Sequence, residues 1–301
     1  MNLQNIKTNI IQNIIPHKTI YIYVMNTTFP FVERKTSQDF KNVLSDSLYH
    51  IYLFNGSGKI TVDFVEYDFD GRTIFFSSPF QNIQIISDSY MDIDVLNFHS
   101  DFYCIEFHKN EVACNGLLFN NIYLFPQFQL SEEIFNEISG YFSKILKVNN
   151  VENFSTSILQ SYLQLILAIC SKEKNKILPE KRPVQESSND LKLFQNLVET
   201  NFLTKRDITF YADLLHIAPN TLSKKIKSIF NKAPTQIIQE RVILEAKKQI
   251  HLTHKSIKEV AAELNFTDEF HFSKYFKKYT GVSPTNFRKQ VGISPVADLN
   301  M

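Results

Sequence analysis

The 301-residue chain contains no run of roughly 18 or more apolar residues, so no membrane-spanning helix is expected. Its first residues, MNLQNIKTNIIQNIIP, lack a compact apolar stretch with a small-residue cleavage site, and no secretory signal is expected either. Cysteine is scarce: Cys104, Cys114 and Cys170 are the only three. A low, odd count argues against a disulfide framework and for a reducing compartment, the cytoplasm. No His-x-His pair occurs. His50, His99 and His108 are scattered through the N-terminal half, and His251 and His254 lack the glutamate that a zinc hydrolase places between its histidines. No Gly-x-Ser-x-Gly elbow is present. Gly56-Ser57-Gly58-Lys59 fails as a phosphate loop, because Leu53 stands where a glycine is needed and Ile60 follows the lysine. We therefore expect no enzyme, no catalytic residue, no metal and no cofactor.

Net charge is also nearly absent, at +1 overall, but it is unevenly distributed. Residues 191–291 hold 17 Lys+Arg and 9 Asp+Glu, while the rest of the chain holds 15 and 22. An acidic region is thus joined to a basic one. That asymmetry is expected when one part meets nucleic acid and the other does not.

What is present reads as α+β. Residues 1–130 carry many short β signals. HIYLF is followed by Asn55-Gly56-Ser57-Gly58 and then by KITVDFVEY, in which Ile60, Val62 and Phe64 alternate with Thr61, Asp63 and Val65. This predicts a hairpin turning at the glycines. Asp70-Gly71 predicts the next turn. MDIDVLNF alternates Met91, Ile93 and Val95 with acids, and FYCIEFH and LLFNNIYLFP continue the β theme. The pattern resembles a cupin-like barrel, which implies an N-terminal sensor domain. Its ligand-binding residues are unknown from sequence, and aromatics such as Phe54, Phe64, Tyr67, Phe75 and Phe76 are expected mainly in the core.

Residues 131–177 read as two helices. Ser131 is a good N-cap before Glu132 and Glu133. The second helix, from about Ser155 to Ser171, carries Ile158, Leu159, Tyr162, Leu163, Leu165, Ile166 and Ile169 over more than one face. Such a helix needs two partners, so this region is expected to dimerise. Residues 178–190 are charged, with Pro179 and Pro183, and read as a linker. Residues 292–301 form a tail.

Residues 191–291 contain one pattern twice, from Ile208 to Thr235 and from Ile257 to Thr285. Ala212 and Leu215 match Ala261 and Leu264. After a one-residue insertion, Ser223, Lys224, Lys227, Pro234 and Thr235 match Ser273, Lys274, Lys277, Pro284 and Thr285. Each copy predicts a helix, a tight turn and a second, lysine-bearing helix. In the first copy Ile208, Ala212, Leu214 and Leu215 form the first helix, and Pro219 opens the second. Leu222, Ile226, Ile229 and Phe230 form its buried stripe; Asn220, Thr221, Ser223, Lys224, Lys225 and Lys227 are left for other faces. In the second copy Thr267 is the expected N-cap, with Phe272, Phe276 and Tyr279 buried. Glu269, His271, Ser273, Lys274, Lys277 and Lys278 remain outside. These twelve polar residues are the candidate DNA-binding set. The helical run from Thr235 to about Ile250 would join the two motifs.

Ile257, Ala261, Asn265-Phe266, Asp268, Phe272-Ser273-Lys274, Phe276-Lys277, Gly281, Ser283-Pro284 and Phe287-Arg288 together resemble the DNA-binding domain of the AraC/XylS transcription regulators. Arg241 and Ala246 approximate that family's Arg-x-x-x-Ala run, with one extra residue between them. The resemblance implies a sequence-specific regulator binding promoter DNA as a homodimer. It also implies a small effector and RNA polymerase as further partners, and a nucleoid location. Four departures stand out. Asn265 replaces a glycine, Ala218 a serine cap, Lys274 an arginine, and Phe270 a small polar residue. Phe270 has two open readings, packing and contact with a thymine methyl. Two rival functions remain: a cupin-type enzyme with an accessory DNA-binding domain, and a non-specific architectural DNA binder.

Overall fold

The computed structural model describes residues 30–63, 65–87, 89–100, 102–103, 117–148, 155–177 and 187–293. One long strand organises its first half. β2 (Tyr49–Val62) pairs antiparallel with β3 (Val65–Ser77) from His50 opposite Ser77 to Val62 opposite Val65. Gly56 therefore faces Gly71 in mid-ladder, and neither expected turn exists at Asn55–Gly58 or Asp70–Gly71. The chain reverses at Asp63, whose φ is 53°. The glycines serve close approach instead. Along Tyr49–Phe54 the second neighbour of β2 is β5 (Asp92–Phe98); along Gly58–Val62 it is β4 (Ile83–Ser87). At this handover a Cβ on Gly58 would lie 2.2 Å from the Ile86 carbonyl oxygen, and one on Gly56 would lie 2.6 Å from Met91 Sδ. Glycine inside a strand marks such crowding as readily as it marks a turn.

β1 (Phe31–Thr36) pairs with β5, and β6 (Gln127–Gln129) with β3, giving the order β1-β5-β2-β3-β6 with β4 beside β2. Successive side chains on β2 enter different cores. Ile51 and Leu53 join Leu96, Phe98, Ile74 and Phe76, whereas Tyr52 and Phe54 join Ile60, Phe69, Phe75, Ile85 and Val95. Met91, Ile93 and Val95 are buried, as their alternation with Asp92 and Asp94 predicts. Most of the FYCIEFH run, together with Phe64, Cys104, Cys114 and His108, lies outside the described residues. LLFNNIYLFP is not a strand. Asn120 takes a left-handed φ of 59°, and the run packs irregularly, burying Leu117, Leu118, Phe119 and Ile122. An apolar run without alternation had only its hydrophobicity to suggest a strand.

Two helices cover the first core. α1 (Glu132–Val148) starts where expected, with the Ile134 N–H donating to Ser131 Oγ at 3.4 Å, and buries Ile138, Phe142 and Ile145. α2 (Thr156–Ile177) runs beyond the expected Ser171 and buries Leu159, Leu163, Ile166, Leu167 and Cys170. Ile158 and Leu165 on α2 stay 46% and 40% exposed, so among the described residues nothing covers this second apolar face. α3 (Ser187–Asn201) begins inside the stretch read as linker, and its Phe194 and Val198 enter the C-terminal core. Among the described residues, no helix is long and apolar enough to cross a membrane.

Candidate nucleic-acid interface

Six helices follow: α4 (Ile208–Leu214), α5 (Pro219–Phe230), α6 (Pro234–Leu252), α7 (Ile257–Glu263), α8 (Glu269–Thr280) and α9 (Pro284–Val291). The repeat is also a repeat in backbone geometry. Ala212 and Ala261 are buried, and their carbonyls accept the N–H of Ile217 at 3.1 Å and of Phe266 at 2.9 Å. The residue before each donor is left-handed: His216 at φ 55° and Asn265 at φ 56°. Asn265 thus does the glycine's work, as its tolerance of that conformation allows. Both second helices end alike. Asn231 (φ 55°) donates its N–H to the Lys227 carbonyl at 3.1 Å, and Gly281 (φ 79°) to that of Lys277 at 2.9 Å.

The helix starts differ between copies. α8 is capped by Asp268, not by the expected Thr267. The Asp268 carboxylate accepts the His271 N–H at 2.7 Å, and this backbone hydrogen bond holds its pKa below the usual range. Thr267, one residue too early, donates its hydroxyl to that carboxylate at 3.2 Å. α7 has a capping box of Ser256 and Glu259, and Ser283 caps α9. In the first copy Ala218 and Ala233 offer no side-chain cap, and the proline that follows each carries the start.

Burial divides the two second helices into faces. Leu222, Ile226 and Phe230 of α5 are buried, as are Phe272 and Phe276 of α8. Ile229, expected inside, remains 43% exposed. At roughly 100° per residue, Lys224 and Lys227 point away from Leu222, just as Lys274 and Lys277 point away from Phe272. These four lysines are exposed. Asn220, Thr221, Glu269, His271 and Lys278 are exposed as well, and Ser223 and Ser273 are partly exposed. Lys225 stands apart from the set. It turns toward α3, where its Nζ lies 2.6 Å from an Asp190 carboxylate oxygen.

Arginines that the candidate set did not include fix the helices of this unit to one another. Arg206, just before α4, stacks 4.1 Å from the Phe266 ring centroid and donates to the Leu264 carbonyl at 2.5 Å. Arg241 on α6 pairs with Glu199 at 2.8 Å and stacks 4.0 Å over Phe202, tying α3 to α6. Arg288 on α9 donates to the carbonyls of Ile250 and Lys255 at 3.2 and 2.6 Å. α6 itself, 19 residues long, spans about 28 Å between the motifs. Only the Arg241 and Arg288 positions carried a sequence signal. The ring that receives Arg206 is far away in the chain.

The sheet domain docks on this helical unit. Lys247 Nζ donates to the Pro79 carbonyl at 2.8 Å, Asn231 Nδ2 to that of Glu66 at 2.9 Å, and Tyr123 OH to Glu199 at 2.9 Å. The rings of Phe80 and Phe287 lie 5.0 Å apart across the seam. Beside these contacts is a cleft enclosing about 1040 Å³ of empty space, part of it open to solvent. Tyr67, Phe76 and Phe119 line one side and Ile243, Leu244 and Lys247 the other. Burial lowers the Lys247 pKa to about 8 and raises the carboxyls of Asp63 and Glu240. Lys232 meets Glu240 at 2.7 Å. His50, one of the scattered histidines, is held between Asn97 and Asp46 at 2.6 and 2.8 Å. Phe54 and Phe75 are core residues, as expected of the aromatics.

A family model described as a helix-turn-helix domain matches residues 211–290. The raffinose operon transcriptional regulatory protein RafR of Pediococcus pentosaceus is 27% identical over 108 residues, covering 36% of this chain and 39% of its own length. AdaA of Bacillus subtilis, a bifunctional transcriptional activator and DNA repair enzyme, is 28% identical over 111 residues, covering 36% and 53%. The chain thus spans about half or less of these relatives. Among solved structures, ToxT from Vibrio cholerae is similar at a TM-score of 0.38 and 15% identity, over 88% of this chain and 100% of that one.

Proposed function

We propose that this chain, whose residues 211–290 match a helix-turn-helix domain, is a sequence-specific transcription regulator of the AraC/XylS kind without enzymatic activity. The observation that carries the reading is the matched pair of outward faces, Lys224 and Lys227 on α5 and Lys274 and Lys277 on α8. Each belongs to a helix anchored by a buried stripe on its opposite side. Exposed residues near the helix N-termini are positioned for base edges in the major groove, and lysines further along for phosphates. α6 separates the motifs, so one chain reads two adjacent groove segments on one face of promoter DNA. Lys225, engaged with Asp190, contributes least.

The sheet domain serves control. We place the effector in the seam cleft, not inside the sheet, because its walls belong to both domains and combine aromatic with charged side chains. A ligand there changes the free energy of docking, which is what an effector must do. The uncovered face of α2, with Ile158 and Leu165, is assigned to a second copy of the chain. RNA polymerase completes the set of partners, and the cytoplasm, at the nucleoid, is the location.

A fragment comprising residues 187–293 tests the division of labour. It retains α3, whose Phe194 and Val198 complete the C-terminal core. It is expected to fold and to bind, as a monomer and more weakly, the duplex that the full chain prefers. Gel-shift titration beside circular dichroism checks this. A folded fragment that binds no DNA would refute the assignment of DNA contacts to this region.

A further inference from the structure

Phe270 is the second residue of α8 and is 80% exposed, more than any other large apolar side chain among the described residues. This excludes the packing role. At roughly 100° per residue it lies about 160° round the helix from buried Phe272, between Lys274 and Lys277 on the outward face. Asp268 holds this first turn in place by accepting the His271 N–H at 2.7 Å. The ring is therefore presented on an ordered helix start, with only two side-chain torsions to fix on binding. The repeat puts Asn220 at the equivalent position of α5, since Ser223 and Lys224 match Ser273 and Lys274.

We propose that Phe270 is a specificity-determining residue that reads the 5-methyl group of thymine, whereas Asn220 at the same place in the first motif reads adenine. The inference rests on the regulator reading and refines it. A phenyl ring has no donor or acceptor, so it gains nothing from the polar edges of guanine, cytosine or adenine. Among base edges in the major groove, the thymine methyl is the one apolar group. Asparagine has the complementary ability, a bidentate hydrogen bond to adenine N6 and N7. The two half-sites are therefore predicted to differ at equivalent positions, and the chain binds its site in one orientation. The flanking lysines favour this occupant over an apolar protein surface, because docking protein there would strip water from two ammonium groups with no phosphate to receive them.

The test uses the full chain and a duplex selected from a random-sequence pool. Each thymine is replaced singly by deoxyuridine, which removes only the methyl. At one or two positions in one half-site the wild-type chain is expected to lose roughly fourfold in affinity, the worth of one buried methyl-sized group. Phe270→Ala is expected to bind the thymine duplex more weakly and to be indifferent to deoxyuridine at those positions. Because the side chain is exposed, the variant retains the fold. Specific binding that is blind to every methyl overturns the Phe270 assignment and leaves the regulator reading intact. So does a Phe270→Ala variant with wild-type affinity and methyl sensitivity, which would point to a protein partner for the ring. Failure to select any preferred duplex overturns both.

Discussion

Replacing Lys224, Lys227, Lys274 and Lys277 together with alanine should reduce the slope of log affinity against log salt by roughly 3–4, because each phosphate contact contributes about 0.9 on duplex DNA. The four side chains are exposed and lie opposite the buried stripes, so their removal leaves the core untouched. Counterion release then predicts a loss of several orders of magnitude at moderate salt, on specific and random duplexes alike. The matching change at Lys225 should do far less, because that ammonium already sits 2.6 Å from Asp190. Fluorescence anisotropy across a salt series reads both effects. A quadruple variant with an unchanged slope would show that the lysine faces do not meet DNA.

The second large effect belongs to the core. Phe276→Ala should destabilise the C-terminal unit by about 3–5 kcal/mol, the usual cost of truncating a buried phenylalanine. That is a large share of the roughly 5–15 kcal/mol that holds a domain folded. Phe276 is fully buried and bridges helices. Its ring lies 5.8 Å from Phe272 on its own helix and 5.4 Å from Phe287 on α9. Phe287 in turn meets Phe80 of the sheet domain at 5.0 Å, so the cavity also loosens domain docking. Urea unfolding should show the loss, with DNA binding falling in step. Phe270→Ala, in the same helix but exposed, should leave the unfolding midpoint nearly unchanged.

The sequence made the helical half legible because its determinants are local. The left-handed Asn265, the prolines opening α5, α6 and α9, and the alanines at the helix crossings each act within a few residues. The Thr267 cap was displaced by one residue to Asp268, since neighbouring oxygen-bearing side chains compete for the same N–H and sequence alone does not rank them. The sheet half was less legible. Gly56 and Gly58 look like a turn until Met91 and Ile86 press against them, and those neighbours are about 30 residues away. LLFNNIYLFP carried hydrophobicity but no period. Domain docking was invisible, because Lys247 and Pro79 or Phe80 and Phe287 meet only in the folded chain. For the same reason the cleft at the seam, and Arg206 between the motifs, had no signature to find.

A sequence-specific regulator must distinguish one DNA sequence from another. The direct measurement is competition at fixed salt between a duplex selected by the full chain and a scrambled duplex of the same length and composition. Specific regulators prefer their sites by roughly 10³ or more, and a ratio of that order is predicted here. Equal affinity for the two duplexes would contradict sequence-specific regulation and leave a non-specific architectural DNA binder in its place.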